Sequence, residues 1–435
     1  MRITKRLATE IKKLISDGVK QEDIAKKYDC SRSLVSDIAT NRSHKNAPWP
    51  EGSKYSIIQG GRRKVDKSDP TDARVLALEA EIVSLKDEYN KEKSKVKAGA
   101  KTAGLFHAIV EEMEDRIVPM KALPSVYEPG KKDRIVEHVV MHLSDGHHDE
   151  VVKPEAVGGL EEYNFPISCV RAEKYVDTII DWTQTTLSPT FSFPVLWVLA
   201  YGDHTSGEIH KAAERSYYRN EFKNCLAIGQ LHALMFRDLA AHFETVNVLY
   251  LAGNHGRRSK KKDYNGSQEN WDYLVAEIAR LQCKEIGNIN FQIPEAWSAN
   301  VEINGVGFNI SHGDDIKGNQ GIPWYSMVRR QKGLIALGAM TDKRPRYFVA
   351  GHHHTLSTLS DIDGELLVNG SWVGTDAFSY NALAGYREPA QLLHGVNAKY
   401  GVTWRLHTKL KSDQEKKGPK RYLIDGGREV GPLQV

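Results

Sequence analysis

Between Arg134 and Trp372 six short apolar runs each stop at a polar cluster: "RIVEHVVMHLSDGHH", "FPVLWVLAYGDH", "VNVLYLAGNHGR", "VGFNISHGDD", "RYFVAGHHHT" and "ELLVNGSW". Runs this short and this uniformly apolar read as strands covered on both faces, and their C-terminal ends deliver the polar residues. Helical patterns lie between them, roughly from Arg215 to Phe243 and from Gln268 to Leu281. Alternation of strands and helices predicts an α/β layered domain whose site runs along the strand ends. Further on, "PAQLLHGVNAKYGVTWRLHTKL" alternates in the manner of two strands that close a sheet, and a charged tail follows.

The strand ends offer, in order, Asp145-x-His147, Gly202-Asp203, Gly253-Asn254-His255, His312-Gly313 and Gly351-His352-x-His354. Carboxylate oxygens suit hard divalent cations, and Mn, Fe and Zn also accept imidazole nitrogen, so a mixed Asp, Asn and His set points to those three metals. Two ions held close together need a bridging ligand, which one carboxylate can supply. Gly146, Gly202, Gly253, Gly313 and Gly351 stand beside these residues, where they permit sharp turns and close backbone approach.

This ordered series resembles the calcineurin-like metallophosphoesterase family, in its nuclease and phosphodiesterase branch, over about residues 134–375. The resemblance implies a β-sandwich flanked by helices in αββα layers, with two divalent ions, manganese foremost and iron or zinc as alternatives. It implies Asp145, His147, Asp203 and His354 around one ion, and Asp203, Asn254, His312 and His352 around the other, with Asp203 as the bridge. If the segment from 352 to 354 is extended, its outer histidines point to one side and each reaches one ion, while His353 points away. His255 matches the family position that contacts phosphate and protonates the leaving oxygen. The implied reaction is in-line hydrolysis of a phosphoester without a phosphoenzyme. Two departures stand out. Gly256-Arg257-Arg258 follows His255 where the family often has an acidic residue, so Arg257 and Arg258, with Lys260, Lys261 and Lys262, are either a phosphate clamp or a solvated basic loop. His204 either contacts phosphate or fills its turn, and His210 and Asp314 are weaker candidates.

Ahead of this region the charge is uneven. Residues 1–67 contain sixteen Lys or Arg against eight Asp or Glu, a net +8 that leaves −4 for the remainder of a chain of net +4. Residues 6–17 place Leu7, Ile11, Leu14 and Ile15 on one helical face, Ile24, Ala25 and Tyr28 form a second stripe, and Ser31 caps a third helix with Leu34, Val35 and Ile38 inward. The stretch "EDIAKKYDCSRSLVSDIATNRSHK" resembles the helix-turn-helix modules of phage and mobile-element regulators and nucleases. That resemblance implies DNA as partner, with Arg32, Ser33, Ser36, Arg42 and Lys45 as contacts; a trihelical protein-binding module would show the same apolar spacing. Residues 43–70 read as a linker. Val75, Leu78, Ile82, Leu85 and Tyr89 then recur at heptad spacing over two heptads, for packing within the chain or for a homodimer. A further amphipathic stretch runs from Leu105 to Ile117.

The expected organisation is a helix-turn-helix domain at 1–48, a helical linker at 49–130, the phosphoesterase domain at 131–410 and a charged tail at 411–435. No apolar run is long enough to span a bilayer, and the basic N-terminus lacks a secretory pattern, so a cytoplasmic protein is expected, in a bacterial host's cytosol if a phage encodes it. Cys30, Cys169, Cys225 and Cys283 show neither zinc spacing nor a disulfide framework. Trp372, Phe378 and Tyr380 are read either as core or as platforms for base stacking, with Trp372 assigned to the core. The leading expectation is a DNA nuclease directed by its head. The alternatives are a phosphatase or phosphodiesterase for nucleotides or phosphoproteins, and an inactive DNA-binding regulator.

Overall fold

A computed structural model describes residues 4–40, 43, 46–50, 104–129, 133–209, 216–258, 262, 266–316, 323–340, 344–362, 364–425 and 428–429. Two compact units divide the chain at residues 94 and 95. Arg42, Lys45, His210, Lys260, Lys261, most of the linker and the whole heptad segment with its expected dimer contact lie outside the described residues.

In the first unit, α1 (Lys5–Ser16), α2 (Gln21–Lys27) and α3 (Arg32–Ala39) close around Ala8, Ile11, Ile15, Ile24, Val35 and Ile38. Each apolar set recurs at three or four residues, so one stripe per helix faces inward. Ser31 Oγ accepts the Leu34 N–H at 3.2 Å and starts α3, as a cap should. The segment after α3 differs from the linker expectation. Ala47 and Trp49 are buried in the same core, and Lys12 Nζ donates to the Ala47 carbonyl at 2.7 Å while lying 5.2 Å from the Trp49 ring. An indole offers more apolar area than the Pro and Gly residues around it can outweigh, so the chain folds back there.

The second unit is mixed α/β. A helix, α4 (Leu105–Met113), leads in and places Phe106 edge-on against Trp271 at 4.9 Å. A short parallel pair, β1 (Ile135–Val136) with β3 (Phe191–Ser192), precedes the main sheet. That sheet has six strands: β2 (His138–Leu143), β4 (Val195–Tyr201), β5 (Thr245–Leu251) and β6 (Ile289–Gln292) run parallel, and β12 (Ala390–Asn397) with β13 (Gly401–Lys409) closes one edge antiparallel, in the order β13-β12-β2-β4-β5-β6. A second sheet of five strands comprises β7 (Ser298–Ile303), β8 (Val306–Ser311), β9 (Tyr347–Ala350), β10 (Ser357–Asp361) and β11 (Gly364–Val368), in the order β10-β11-β9-β8-β7.

Alternation along the strands sorts the core into layers. Val139, Met141, Leu196, Val198, Val246 and Val248 face α5 (Phe165–Asp181), α6 (Glu221–Ala240) and α7 (Trp271–Gln282). Their neighbours Val140, Leu199, Leu249 and Leu251 face the second sheet through Phe308, Ile310, Tyr347 and Val349. On the far face of that sheet Phe348, Leu366 and Val368 meet Met327 of α8 (Trp324–Ala339). The layers are helix, sheet, sheet, helix. Helices α5 and α8 carried no separate expectation, and α6 and α7 begin later than the sequence pattern suggests. No helix among the described residues is long and apolar enough to cross a membrane.

Residues 411–425, read from charge as a tail, pack on the helical layer. Arg171 of α5 is buried and donates to Glu161 at 2.8 Å and to Glu415 at 2.8 Å, while buried Tyr422 donates to Asp238 at 3.0 Å. The four thiols are unpaired; Cys169, Cys225 and Cys283 are buried and Cys30 is half-buried. Trp372 is fully buried, whereas Phe378 and Tyr380 on the short helix α9 (Ala377–Leu383) are exposed.

Candidate metal centre

Five strands deliver the candidate ligands from their C-terminal ends, three in one sheet and two in the other. Asp145 and His147 follow β2, Asp203 follows β4, Asn254 and His255 follow β5, His312 follows β8, and His352 and His354 follow β9. The two sheets meet there, so a loop from each faces the other across the strand ends.

The side chains converge in overlapping sets. Asp145, His147 and His354 place ligand atoms within 4.8 Å of one another, as do Asp203, His312 and His352, and as do His147, Asp203 and His255. His312 Nε2 lies 2.9 Å from Asp203 Oδ2 and 3.0 Å from Asn254 Oδ1, and His354 Nε2 lies 3.4 Å from Asp145 Oδ1. Asp203 Oδ2 is also 4.0 Å from His147 Nε2, so this carboxylate stands between both sets.

Backbone conformation brings them there. Asp145, His147, Asp203, His352 and His354 all have φ between 38° and 64°, a left-handed region that costs a non-glycine residue about 1–3 kcal/mol. The segment from His352 to His354 is therefore not extended, which corrects the expectation. Left-handed turns at both positions, rather than a strand's alternation, carry His352 to the Asp203 set and His354 to the Asp145 set. Two glycines are required by close approach: a Cβ at Gly202, φ +96°, would sit 2.3 Å from the Gly253 nitrogen, and one at Gly351 would sit 2.4 Å from Asp145 Oδ2.

An outer layer that the sequence patterns did not single out fixes these loops. Asp272, in the first turn of α7, accepts the N–H groups of Asp203 at 2.9 Å, His204 at 3.0 Å and Gly253 at 2.8 Å. Asn270, the cap of α7, donates to the Gly253 carbonyl at 2.9 Å. On the other flank Ser144 Oγ donates to Asp145 Oδ2 at 2.6 Å and itself accepts from Asn369 at 2.9 Å, while the His352 N–H donates to Asp145 Oδ1 at 2.7 Å. None of these has metal-ligand spacing in the sequence. Only the NxD capping pattern ahead of α7 was available as a signal.

Electrostatics match a cation. Asp145 and Asp203 are buried, and burial alone raises a carboxyl pKa. His354 and His312 outweigh that at Asp145, holding it at about 2, and His312 and His255 hold Asp203 well below the usual carboxylate range. Burial would lower His312, but Asp203 and then Asp145 push it up to about 10. His147, kept neutral by burial and by His255, has both ring nitrogens buried without a hydrogen-bond partner. Two ionised carboxylates and an orphaned neutral imidazole in one buried cluster are what divalent cations with oxygen and nitrogen preferences fit.

The remaining predicted residues fall differently. The His255 N–H donates to Asp203 Oδ1 at 2.8 Å, and its Nδ1 lies 3.1 Å from the Ser206 carbonyl, an acceptor, so Nδ1 carries the proton. Support thus comes from a carbonyl instead of a carboxylate; Asp149 in turn accepts the Ser206 N–H at 2.7 Å. Arg257 donates from Nε to the Asn254 carbonyl at 3.1 Å and lies 3.9 Å from Asp314, which Lys262 meets at 2.7 Å. These three form a charged rim beside His312. Arg258 pairs with Glu269 at 3.3 Å on the surface, away from that rim. His204 does not join the cluster. Its ring is fully buried against His232 and Tyr250, at 4.9 and 5.5 Å between centroids, which corrects its expected contact with phosphate. In the first unit Arg32 and Ser33 are exposed and Ser36 is half-buried, with Arg32 3.0 Å from Glu22.

No family model and no curated protein matches the chain. Among solved structures it is similar to an archaeal phosphodiesterase, at 10% identity and a TM-score of 0.29 over 62% of this chain and 99% of that one. It is similar to vacuolar protein sorting 29 from Cryptosporidium parvum, at 12% identity and a TM-score of 0.28 over 63% and 98%. A predicted phosphoesterase from Streptococcus pneumoniae matches at 9% identity and a TM-score of 0.25 over 62% and 98%.

Proposed function

We propose that this chain is a two-ion phosphoester hydrolase of the calcineurin-like kind, and that its substrate is DNA. The observation that carries the hydrolase is the buried cluster itself: two ionised carboxylates, an amide and several imidazoles drawn from five strand ends, with His147 left without a partner. In this reading Asp145, His147 and His354 would hold one ion and Asn254, His312 and His352 the other, with Asp203 within reach of both sets. Such ions supply a water nucleophile at neutral pH and neutralise charge on the phosphoryl oxygens.

The chain's own groups do the rest. His255, with Nδ1–H held on the Ser206 carbonyl, turns its other nitrogen toward His147 and Asp203; as an imidazolium, protonated on both nitrogens, it gives the Nε2 proton to the leaving oxygen and is left as the Nδ1–H tautomer. Arg257 and Lys262, held by Asp314, orient an anionic substrate at the rim. DNA is favoured because a basic three-helix unit with exposed Arg32 and Ser33 at the start of α3 shares the chain with this centre.

The test combines metal-free protein with Mn²⁺ or Zn²⁺ and offers supercoiled, linear and single-stranded DNA beside a chromogenic phosphodiester. Metal-dependent cleavage of DNA and of the small ester, both lost in Asp203→Ala, is the expected result. Cleavage of the small ester with DNA untouched would move the substrate to nucleotides or phosphoproteins. Failure on every ester would overturn the hydrolase.

A further inference from the structure

Behind the candidate centre, on the helix side of the main sheet, His148, His204 and His232 bring their ring nitrogens within 4.8 Å of one another, and all three are fully buried. His148 and His204 are the chain neighbours of His147 and Asp203. Each of the two loops thus sends one residue to the centre and the next to this second cluster, while His232 comes from α6. We propose that the three histidines bind a late first-row divalent ion such as Zn²⁺, a third metal site that pins the two loops to α6.

The hydrogen bonding is that of imidazoles prepared as ligands. His148 Nδ1 lies 2.6 Å from Ser168 Oγ, and His232 Nδ1 lies 2.7 Å from the Tyr250 hydroxyl. A hydroxyl oxygen can accept from Nδ1–H, and in that tautomer the lone pair is on Nε2, the way a metal-binding histidine is held by its other nitrogen. The two Nε2 atoms then face each other at 3.1 Å. Two nitrogens on one tetrahedral zinc, each about 2.0–2.1 Å from the ion, stand about 3.3 Å apart. The third ring makes the strongest case. Both nitrogens of His204 are buried without a hydrogen-bond partner, which is costly for a polar group unless something else satisfies it.

Trp372 packs edge-on against His148 at 4.8 Å and Phe236 lies 6.0 Å from His232, so aromatic rings flank the cluster. An all-nitrogen set favours zinc, cobalt, nickel or copper over magnesium and calcium, unlike the mixed oxygen and nitrogen set of the centre nearby.

His204→Phe is the informative substitution, because the ring is kept and no hydrogen bond is lost. Full-length wild type and variant, stripped with chelator and reloaded with Co²⁺, are compared by elemental analysis and by visible d–d absorption. The variant should hold one ion fewer per chain and lose the matching part of the spectrum. Asp203→Ala should lose ions at the other centre while keeping that signal, which separates this site from the proposed hydrolase. Equal metal content in wild type and His204→Phe would overturn the proposal. If the variant does not fold, anomalous diffraction from Zn²⁺-loaded wild-type crystals decides: a peak between the Nε2 atoms of His148 and His232 supports the site, and no peak there overturns it.

Discussion

At the residue scale the proposed function separates groups that would bind ions from groups that would move protons, and each makes its own prediction. His255→Ala should retain both ions of the candidate centre yet slow phosphodiester hydrolysis by about 10²–10⁴-fold, the usual cost of losing a general acid; collapse of metal content on elemental analysis would make it a ligand instead. Glu221 gives a prediction about stability. Burial, and next the charge of Asp149, raise its pKa from 4.5 to about 8, with exposed Glu208 contributing in the same direction. Asn224 Nδ2 donates to Glu221 at 3.2 Å and to Asp149 at 3.0 Å, so one amide joins two carboxyls in a buried pocket. The native state keeps its proton up to about 8 while the unfolded chain releases it above 4.5. Stability therefore falls as pH rises through that window, by at most about 1.4 kcal/mol per pH unit. Glu221→Gln, which stays neutral, should flatten the dependence, and thermal melts of both proteins from pH 5 to pH 8 would read it; parallel curves would sink the assignment. The candidate ligands could be picked out because Asp, Asn and His at strand ends advertise metal chemistry in their types. Asp149, Glu221 and the partnership of His148, His204 and His232 could not. A lone buried polar residue on a helix or in a loop looks like any other, and only the fold reveals what faces it.

At the scale of elements, the apolar runs revealed the strands that matter because strands covered on both faces need uninterrupted apolar sequence. Strands β7 and β10 were less visible, since edge positions alternate with exposed residues. Helix α5 buries a mixed set including Arg171 and Glu173, which blurs its apolar stripe. The left-handed turn from His352 to His354 was invisible for a different reason: nothing in three consecutive histidines announces positive φ, and tertiary contacts with Asp145 impose it. Helix α7 shows how an element positions a site it does not line. Its N-terminal dipole favours the Asp272 carboxylate, which in turn holds the loops after β4 and β5 through their N–H groups. Asp272→Asn opposes an NH₂ to at least one of those donors and should lower stability by about 1–3 kcal/mol. It should also reduce metal retention at the candidate centre, measured by elemental analysis after dialysis. Unchanged melting and metal content would show that the loops hold themselves. Gly202→Ala should be more severe, because both its positive φ and the Gly253 backbone exclude a Cβ.

At the scale of the whole molecule the question is what a basic three-helix unit contributes to a chain that carries its proposed chemistry elsewhere. Every candidate ligand lies at or beyond Asp145, in the second unit, and the first unit has a separate core that ends with Trp49. The charge is divided likewise, with a net +8 in the first 67 residues against −4 in the rest. Cations that neutralise phosphates release condensed counterions, so binding that depends on them weakens with salt in proportion to the number of contacts. Removal of residues 1–50 should therefore weaken affinity for duplex DNA and flatten the slope of log K against log salt. Hydrolysis of a small chromogenic phosphodiester should stay unchanged, since neither ligands nor rim residues are removed. Arg32→Ala and Ser33→Ala, at the exposed start of α3, should act more narrowly. If they meet base edges they reduce discrimination between sequences and leave the salt slope close to that of the full chain. A truncated protein that binds duplex DNA as tightly as the full chain across the salt titration would reassign the head to protein contacts, and the substrate would then have to be sought among smaller phosphoesters.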